Sequence, residues 1–234
     1  MSSANIRESN FATSDVLPGE GALAAWEIVS VTSSVLIAEW ILSAAAGRSK
    51  AIVAIPVTLA FVLMIGSRRL RRETLRDLGF RFDNFFLALK ILLVPMIVVA
   101  TVSFLVGAWS GTRPDFLRWH AERPIVGQLA LGLGWGFVQQ YVLQAFVNRR
   151  AQIIWGPGAI SVLLTSLVFA MLHLPNPWLM LVTVVGGLVW ATVYQRAPNL
   201  FALALSHSVM TWVLVSTLPV SALNHLRIAF KYFA

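Results

Sequence analysis

The sequence contains no cysteine and few charged residues. Without cysteine, disulfide bonds, thiolate catalysis and cysteine-ligated zinc are all excluded. Charged side chains make up 12% of the 234 residues, whereas soluble domains carry about 25%. Hydrophobic residues reach 58% of the chain, and the mean hydropathy is +0.76. This composition excludes an ordinary soluble domain and indicates an integral membrane protein.

Long apolar runs account for most of the chain. A membrane-spanning helix needs about 20 predominantly apolar residues, and several runs approach or exceed this length. We expect an all-α, polytopic membrane helix bundle of about seven spans, at 22–46, 51–67, 84–109, 125–148, 159–174, 178–194 and 199–217. The last residues, among them Phe230, Lys231 and Phe233, predict a C-terminal interfacial helix.

Polar and basic segments set the expected orientation. Residues 1–21 predict a disordered cytoplasmic tail, and residues 22–234 predict a single transmembrane domain. The segment 68–81 carries six arginines, so the positive-inside rule places it and the N-terminus in the cytoplasm. Its leucines predict a short helix on the membrane surface. We therefore attribute the net charge of +8 to orientation and to contact with membrane lipids, and expect no nucleic-acid partner.

A polar stripe interrupts the run at 125–148. Gly132, Gly136, Gln140 and Gln144 recur every four residues, so they share one face of a helix, with Gln139 on its flank. Glycines allow close approach of a second helix, and the glutamines can hydrogen-bond across that contact. One reading is that these amides only join helices. The other is a functional site, which polar side chains at membrane depth often mark.

Two histidines and two glutamates lie in other apolar runs. His173 and His207 fall on different predicted helices, which favours a site shared with the glutamines. We expect no cofactor, and a metal bound by His173 and His207 is disfavoured because catalytic zinc needs three protein ligands. Glu27 is near the predicted membrane edge, where no role is expected. Glu39 is deep in the first span and requires a proton or a partner.

The segment from Gly132 to Trp212 resembles the CAAX protease and bacteriocin-processing family of intramembrane proteases. The family shows EExxxR on one span, then FxxxH, and then HxxxN or a variant. The corresponding motifs here are, in order, Gln139-Gln140-Tyr141-Val142-Leu143-Gln144, Phe169-Ala170-Met171-Leu172-His173 and His207-Ser208-Val209-Met210-Thr211. The resemblance also implies a bacterial-type cytoplasmic membrane.

The departures from the family pattern concern its charged residues. Both glutamates and the arginine are glutamine here, and the final asparagine is Thr211. The resemblance implies Gln139 at the position of the base, His173 orienting the attacking water, and His207 with Thr211 on the oxyanion side. An amide positions water but does not take up a proton near neutral pH.

Two classes of function therefore remain. The first is a CAAX-protease-like intramembrane endopeptidase acting on a membrane-associated peptide or protein, either active through another base (His173, His207 or Glu39) or an inactive relative. The second is a non-catalytic membrane protein that binds a peptide or lipid in the same cavity. A small transporter is disfavoured because the two halves of the chain show no repeat.

Overall fold

The computed structural model describes residues 19–42, 50–118 and 124–233. These residues form an all-helical bundle, in which each helix follows an apolar run of the sequence. The helices in chain order are α1 (Glu20–Leu36), α2 (Lys50–Leu70), α3 (Phe85–Trp109), α4 (Ile125–Gln140), α5 (Arg149–Trp155), α6 (Ala159–Met171), α7 (Pro177–Arg196), α8 (Leu200–Thr217) and α9 (Val220–Leu223).

Two π-helical segments extend the regular helices. Ile37–Leu42 continues α1, and Tyr141–Asn148 joins α4 to α5 without a break. The predicted run at 125–148 is thus part of one long helical element that ends at Trp155. Within the described residues, four helices are long and apolar enough to cross a membrane: Glu20–Ile41, Phe85–Trp109, Pro177–Arg196 and Leu200–Thr217. The chain is a polytopic α-helical membrane protein.

Some predicted boundaries differ from the structure. Glu20 and Gly21 belong to α1 and not to the tail, and residues 1–18 of the predicted tail lie outside the described part of the chain. Residues 43–46 of the first predicted span lie outside it as well. Helix α6 has 13 residues, which gives a length of about 20 Å. It is therefore too short to cross the ~30 Å hydrocarbon core without bilayer thinning or other parts of the chain.

The predicted surface helix within 68–81 is wrong. Helix α2 runs to Leu70, and the residues from there to α3 form turns. Leu78 is buried in the core with 2% exposure, and Tyr194 donates a hydrogen bond to its carbonyl oxygen. The tertiary contacts of Leu78 thus replace the expected contact with lipid. Instead of one helix, the C-terminal residues form single helical turns, which are α9 and the two 3₁₀ segments Asn224–Leu226 and Ala229–Tyr232.

A buried ion cluster joins the arginine-rich segment 68–81, here called the basic loop, to the bundle. Arg150 has no exposed side-chain surface, and its Nε lies 2.9 Å from Oε2 of Glu27. Its two terminal nitrogens donate to the two carboxylate oxygens of Glu73, at 2.9 and 2.8 Å. Arg149 Nε donates to Glu73, and Arg71 pairs with Glu27. The expectation that Glu27 has no role is therefore corrected, since it is a counterion of a buried arginine.

Close packing of α4 on α8 positions the candidate site. A Cβ atom at Gly136 would lie 3.1 Å from the carbonyl oxygen of Ala204 and 3.4 Å from Cβ of His207. The glycine therefore allows the contact that the sequence predicted. On the other side of the bundle, α6 packs against α7, where a Cβ atom at Gly187 would lie 2.8 Å from Cα of Ser166. Glycine thus brings both helix pairs together.

Candidate active site

A cavity of about 780 Å³ lies between α4, α6, α7 and α8 and the C-terminal turns. It is lined by four of the predicted site residues: Gln139, His173, His207 and Thr211. Gln140 is fully buried behind them and contacts His207. The structure therefore brings all five predicted side chains to one place, although they come from three separate stretches of the chain.

Gln140 and His207 form the polar contact between α4 and α8. Nε2 of Gln140 lies 3.0 Å from Nδ1 of His207. An amide nitrogen donates only, so Nδ1 of His207 accepts and the ring proton of a neutral imidazole lies on Nε2. The ring also stacks on Trp190, with centroids 4.5 Å apart and planes at 3°. His207 is thus held so that its Nε2–H is a hydrogen-bond donor.

His173 has the opposite arrangement. Its Nδ1 lies 2.7 Å from the carbonyl oxygen of Phe169, four residues earlier. A carbonyl oxygen only accepts, so Nδ1 carries the proton and Nε2 of the neutral ring has a free lone pair. The Phe169 ring contacts both histidines, with centroid distances of 4.8 Å to His173 and 5.9 Å to His207. The FxxxH motif therefore orients His173 through its backbone and contacts both imidazoles with its aromatic ring.

The third glutamine of the stripe does not belong to the cavity. Gln144 is fully buried, and its Oε1 accepts a hydrogen bond from Nδ2 of Asn148 at 2.9 Å. Asn148 also bonds to the carbonyl oxygen of Ala191 and accepts from Gln195. The π-helical segment begins at Tyr141, so the four-residue period stops directly after Gln140. Gln144 therefore holds Asn148, which makes the bonds to α7, and it does not join α4 to α8.

Three cavity residues were not singled out in the sequence. Trp190 stacks on His207 and donates its indole N–H to Ser206 at 2.9 Å. Arg118 lies in the loop after α3, and its Nη1 donates to the carbonyl oxygens of Val215 and Leu218. His225, in the C-terminal turns, also lines the cavity. None of these three residues belongs to a recognisable sequence motif, so the sequence alone did not predict their roles.

The described lining of the cavity contains no carboxylate. Glu39, one of the three suggested replacement bases, is half-buried in the π-helical end of α1 and is not among those lining residues. The described part of the chain also has no group of three or more histidine, aspartate or glutamate side chains placed to hold a metal ion. The described groups with acid–base chemistry near the glutamines are therefore the histidines.

Comparison with known families gives one match at this site. Residues 123–213 match the family described as type II CAAX prenyl endopeptidase Rce1-like. The matched segment contains α4 to α7 and most of α8, and so every predicted site residue. This match covers 91 of the 234 residues and supports the resemblance to the CAAX protease and bacteriocin-processing family. No curated protein and no solved structure matches the chain.

The segment around the cavity is thus similar to a family of membrane endopeptidases. The matched residues, from 123 to 213, make up about two fifths of the chain and contain most of the cavity lining. Helices α1, α2 and α3 and the basic loop lie outside the match. They pack around the family segment, and the ion cluster of Arg150 with Glu27 and Glu73 is one place where the two parts join.

Proposed function

We propose that this CAAX-protease-like protein is an intramembrane endopeptidase that uses histidine in place of the missing glutamate base. The observation that carries the proposal is the pair of opposite hydrogen-bonding states in one cavity. His173 presents a lone pair at Nε2, because its Nδ1–H is bonded to Phe169. His207 presents an N–H at Nε2, because its Nδ1 accepts from Gln140. Peptide hydrolysis needs one group of each kind.

The reaction assigns each group a step. Nε2 of His173 accepts a proton from a water molecule as the water oxygen attacks the carbonyl carbon of the substrate. Gln139 orients that water through its amide, and Nε2–H of His207, with the hydroxyl of Thr211, donates to the developing oxyanion. When the C–N bond breaks, the proton on His173 passes to the leaving amine. The products are one carboxylic acid and one amine, and the acid then gives its proton to the amine, which leaves a carboxylate and an ammonium group.

The competing function is binding without cleavage, and it too has a specific observation. A glutamine stands where the family has its base, and the described cavity lining lacks a carboxylate. Neutral amides keep the hydrogen bonds of the site and avoid the cost of burying charge. In this alternative, the cavity binds a peptide or lipid segment and releases it without cleavage.

Cleavage of a peptide by the purified protein separates the two functions. The probes are a CAAX-type peptide with and without a farnesyl group, incubated in H₂¹⁸O and examined by mass spectrometry. We expect one ¹⁸O atom in the newly formed carboxylate. Replacing His173 by alanine should reduce kcat about 10²- to 10⁴-fold, as loss of a general base does. Replacing His207 by alanine should reduce it about 10²- to 10³-fold, as loss of an oxyanion donor does.

His225 provides the matched control. It lines the same cavity from the C-terminal turns but is exposed and has no part in the proposed steps. His225→Ala should leave kcat within about threefold of the parent. Equal losses in all three histidine variants would contradict the assigned roles. Tight binding of both peptides with no cleavage by the parent would establish the binding function instead.

A further inference from the structure

A second cavity, of about 690 Å³, adjoins the first. It lies between α3, α7 and α8, and its lining is almost entirely apolar, with Ser103, Ser110 and Ser221 as the hydroxyl-bearing members. Trp190, Met210 and Leu218 line both cavities. A volume of this size is within the ~300–1,000 Å³ range of ligand pockets. Because none of the proposed catalytic side chains lines it, it requires a separate explanation.

The apolar cavity opens on the surface of the bundle that faces lipid. Leu181, Val102 and Val185 line it and are 56%, 52% and 40% exposed. The first and last belong to α7 and Val102 belongs to α3, and both helices are membrane spans by length and hydropathy. The molecules next to this opening in a membrane are therefore lipid acyl chains.

The lining of the cavity along α3 is longer than one leaflet of the hydrocarbon core is thick. Along α3 the lining extends from Pro95 to Trp109, and 14 steps of 1.5 Å give about 21 Å. Half of the hydrocarbon core is about 15 Å thick. Trp109 is 91% exposed and closes the lining at the end of the helix, as aromatic residues do at the membrane interface. A phospholipid with an acyl chain in this cavity would thus have its headgroup beside the end of α3.

A cationic side chain lies at that end. A Cβ atom at Gly107 would overlap the carbonyl oxygen of Thr217, so the ends of α3 and α8 are in contact. Arg118, which lines the first cavity, donates from Nη1 to the carbonyl oxygen of Leu218 at 2.9 Å, and Leu218 lines both cavities. Among the described residues Arg118 has no carboxylate partner, and its Nε has no hydrogen-bond acceptor.

From this juxtaposition we infer that the apolar cavity is a binding site for one anionic phospholipid, with an acyl chain between α3 and α7 and the phosphate at Arg118. The half-buried guanidinium supplies a charge-assisted hydrogen bond through its free Nε–H. The inference does not rest on the proposed catalysis, because an inactive relative would hold the lipid equally well.

Native mass spectrometry of the delipidated protein tests the site. The probes are dioleoyl phosphatidylglycerol, dioleoyl phosphatidylcholine and glycerol phosphate. The two lipids have the same acyl chains and different headgroups, whereas glycerol phosphate has an anionic phosphate and no acyl chain. We expect one phosphatidylglycerol molecule to be retained at least about tenfold more tightly than phosphatidylcholine, because both lipids present a phosphate but the choline cation of phosphatidylcholine is repelled by the guanidinium of Arg118. Glycerol phosphate alone should not be retained. Retention of glycerol phosphate as tight as that of the lipid would show a free-anion site and overturn the inference.

Matched variants distinguish lipid bound in this cavity from lipid bound nonspecifically around the bundle. Val102→Trp fills the cavity from α3 and should abolish retention, whereas Leu105→Trp, on the same helix and 64% exposed but outside the lining, should not. Val185→Trp with Leu188→Trp as its control repeats the comparison on α7, in case one variant fails to fold. Equal retention by each variant and its control would mean nonspecific lipid and would overturn the inference.

The charge at Arg118 is tested separately. Arg118→Gln should remove the preference for phosphatidylglycerol, and Arg118→Lys should keep most of it because the charge remains. Arg113→Gln changes an exposed arginine of the same loop, which is not part of either lining, and should have no effect. Equal retention of the two lipids by the parent, or retention of a co-purified peptide with no lipid, would also overturn the inference.

Discussion

The amide nitrogen of Gln140 lies 3.0 Å from Nδ1 of His207, and both side chains are buried. This single contact determines which ring nitrogen of His207 carries the proton, and therefore what the imidazole offers to the cavity. In the family pattern the same position is a glutamate, which would accept a hydrogen bond and not donate one. The substitution thus changes the tautomer of a residue on a neighbouring helix.

Gln140→Glu should invert that tautomer. The carboxylate would accept the proton of Nδ1–H, so Nε2 of His207 would become an acceptor. ¹⁵N NMR of histidine-labelled protein should show His207 protonated at Nε2 in the parent and at Nδ1 in the variant. The signals of His173, whose Nδ1 is bonded to a backbone carbonyl, should not change. A parent already protonated at Nδ1 of His207 would contradict the arrangement described here.

Gln139→Glu places a carboxylate in the cavity beside the histidines. If His173 is already the base, we expect kcat within about tenfold of the parent, since a second base adds little. The measurement is peptide cleavage at saturating substrate, compared with Gln139→Leu, which removes the water-orienting amide. An inactive parent that gains 10²-fold or more on addition of the glutamate would show that the base was missing.

Arg150→Met should strongly destabilise the protein. The change leaves Glu27 and Glu73 buried without the guanidinium that bridges them, and breaking a buried ion pair costs about 3–5 kcal/mol. Thermal unfolding in detergent measures the loss. Arg149→Met is the control, because Arg149 is 24% exposed and makes one of the contacts to Glu73. Similar melting temperatures for the two variants would mean that the cluster contributes little.

The stability of the basic loop should depend on pH through Glu73. Burial raises the pKa of this carboxyl, but hydrogen bonds and charges from Arg150 and Arg149 outweigh it, so the pKa lies below the ordinary 4.5. Its contribution is complete above pH 4.5 and is lost as the pH falls through the lowered value.

The expected result is a difference between parent and Glu73→Gln. At pH 7 the variant should melt at a lower temperature, and below pH 4.5 the two curves should converge. Ser67→Ala removes a hydrogen bond from Arg150 without removing a titratable group, so its difference from the parent should not depend on pH. If the difference in melting temperature between the parent and Glu73→Gln stayed constant down to the lowest pH at which the protein folds, the proposed dependence on Glu73 ionisation would be wrong.

Gly136→Leu should separate α4 from α8. Even a Cβ atom at this position meets Ala204 and His207, so a larger side chain forces the helices apart and breaks the Gln140–His207 contact. We expect destabilisation by about 1–3 kcal/mol, as for overpacking, and loss of the His207 tautomer signal. Gly134→Leu lies on the same helix, where a Cβ atom meets nothing within 4 Å, and should be tolerated.

The apolar spans and the three motifs were predictable from the sequence because they depend on local composition and spacing. Helices α7 and α8 begin where Asn176 and Asn199 cap them with side-chain hydrogen bonds, and proline and asparagine mark both starts in the sequence. The FxxxH spacing likewise places His173 on the carbonyl of Phe169, one helical turn earlier.

The errors arose where distant parts of the chain meet. The position of Glu27 near the predicted membrane edge suggested that it has no role. This was wrong because its partner Arg150 comes from another helix far along the chain. A constant helical period predicted that Gln144 faces the same way as Gln140, but the π-helical segment changes the register between them. Arg118 was missed because its partners are backbone carbonyls of α8, which no side-chain motif reveals. The cytoplasmic location of the basic loop remains a prediction.

The Arg150 cluster also has a consequence for the order in which the chain is made. Both of its buried carboxylates, Glu27 and Glu73, precede the arginine in sequence. Synthesis proceeds from the N-terminus, so the two counterions are already present when Arg150 leaves the ribosome. The guanidinium can therefore enter the bundle as a neutralised group. Glu27 can meanwhile pair with Arg71, which also precedes Arg150, so the first helix has a cationic partner before the fifth is translated.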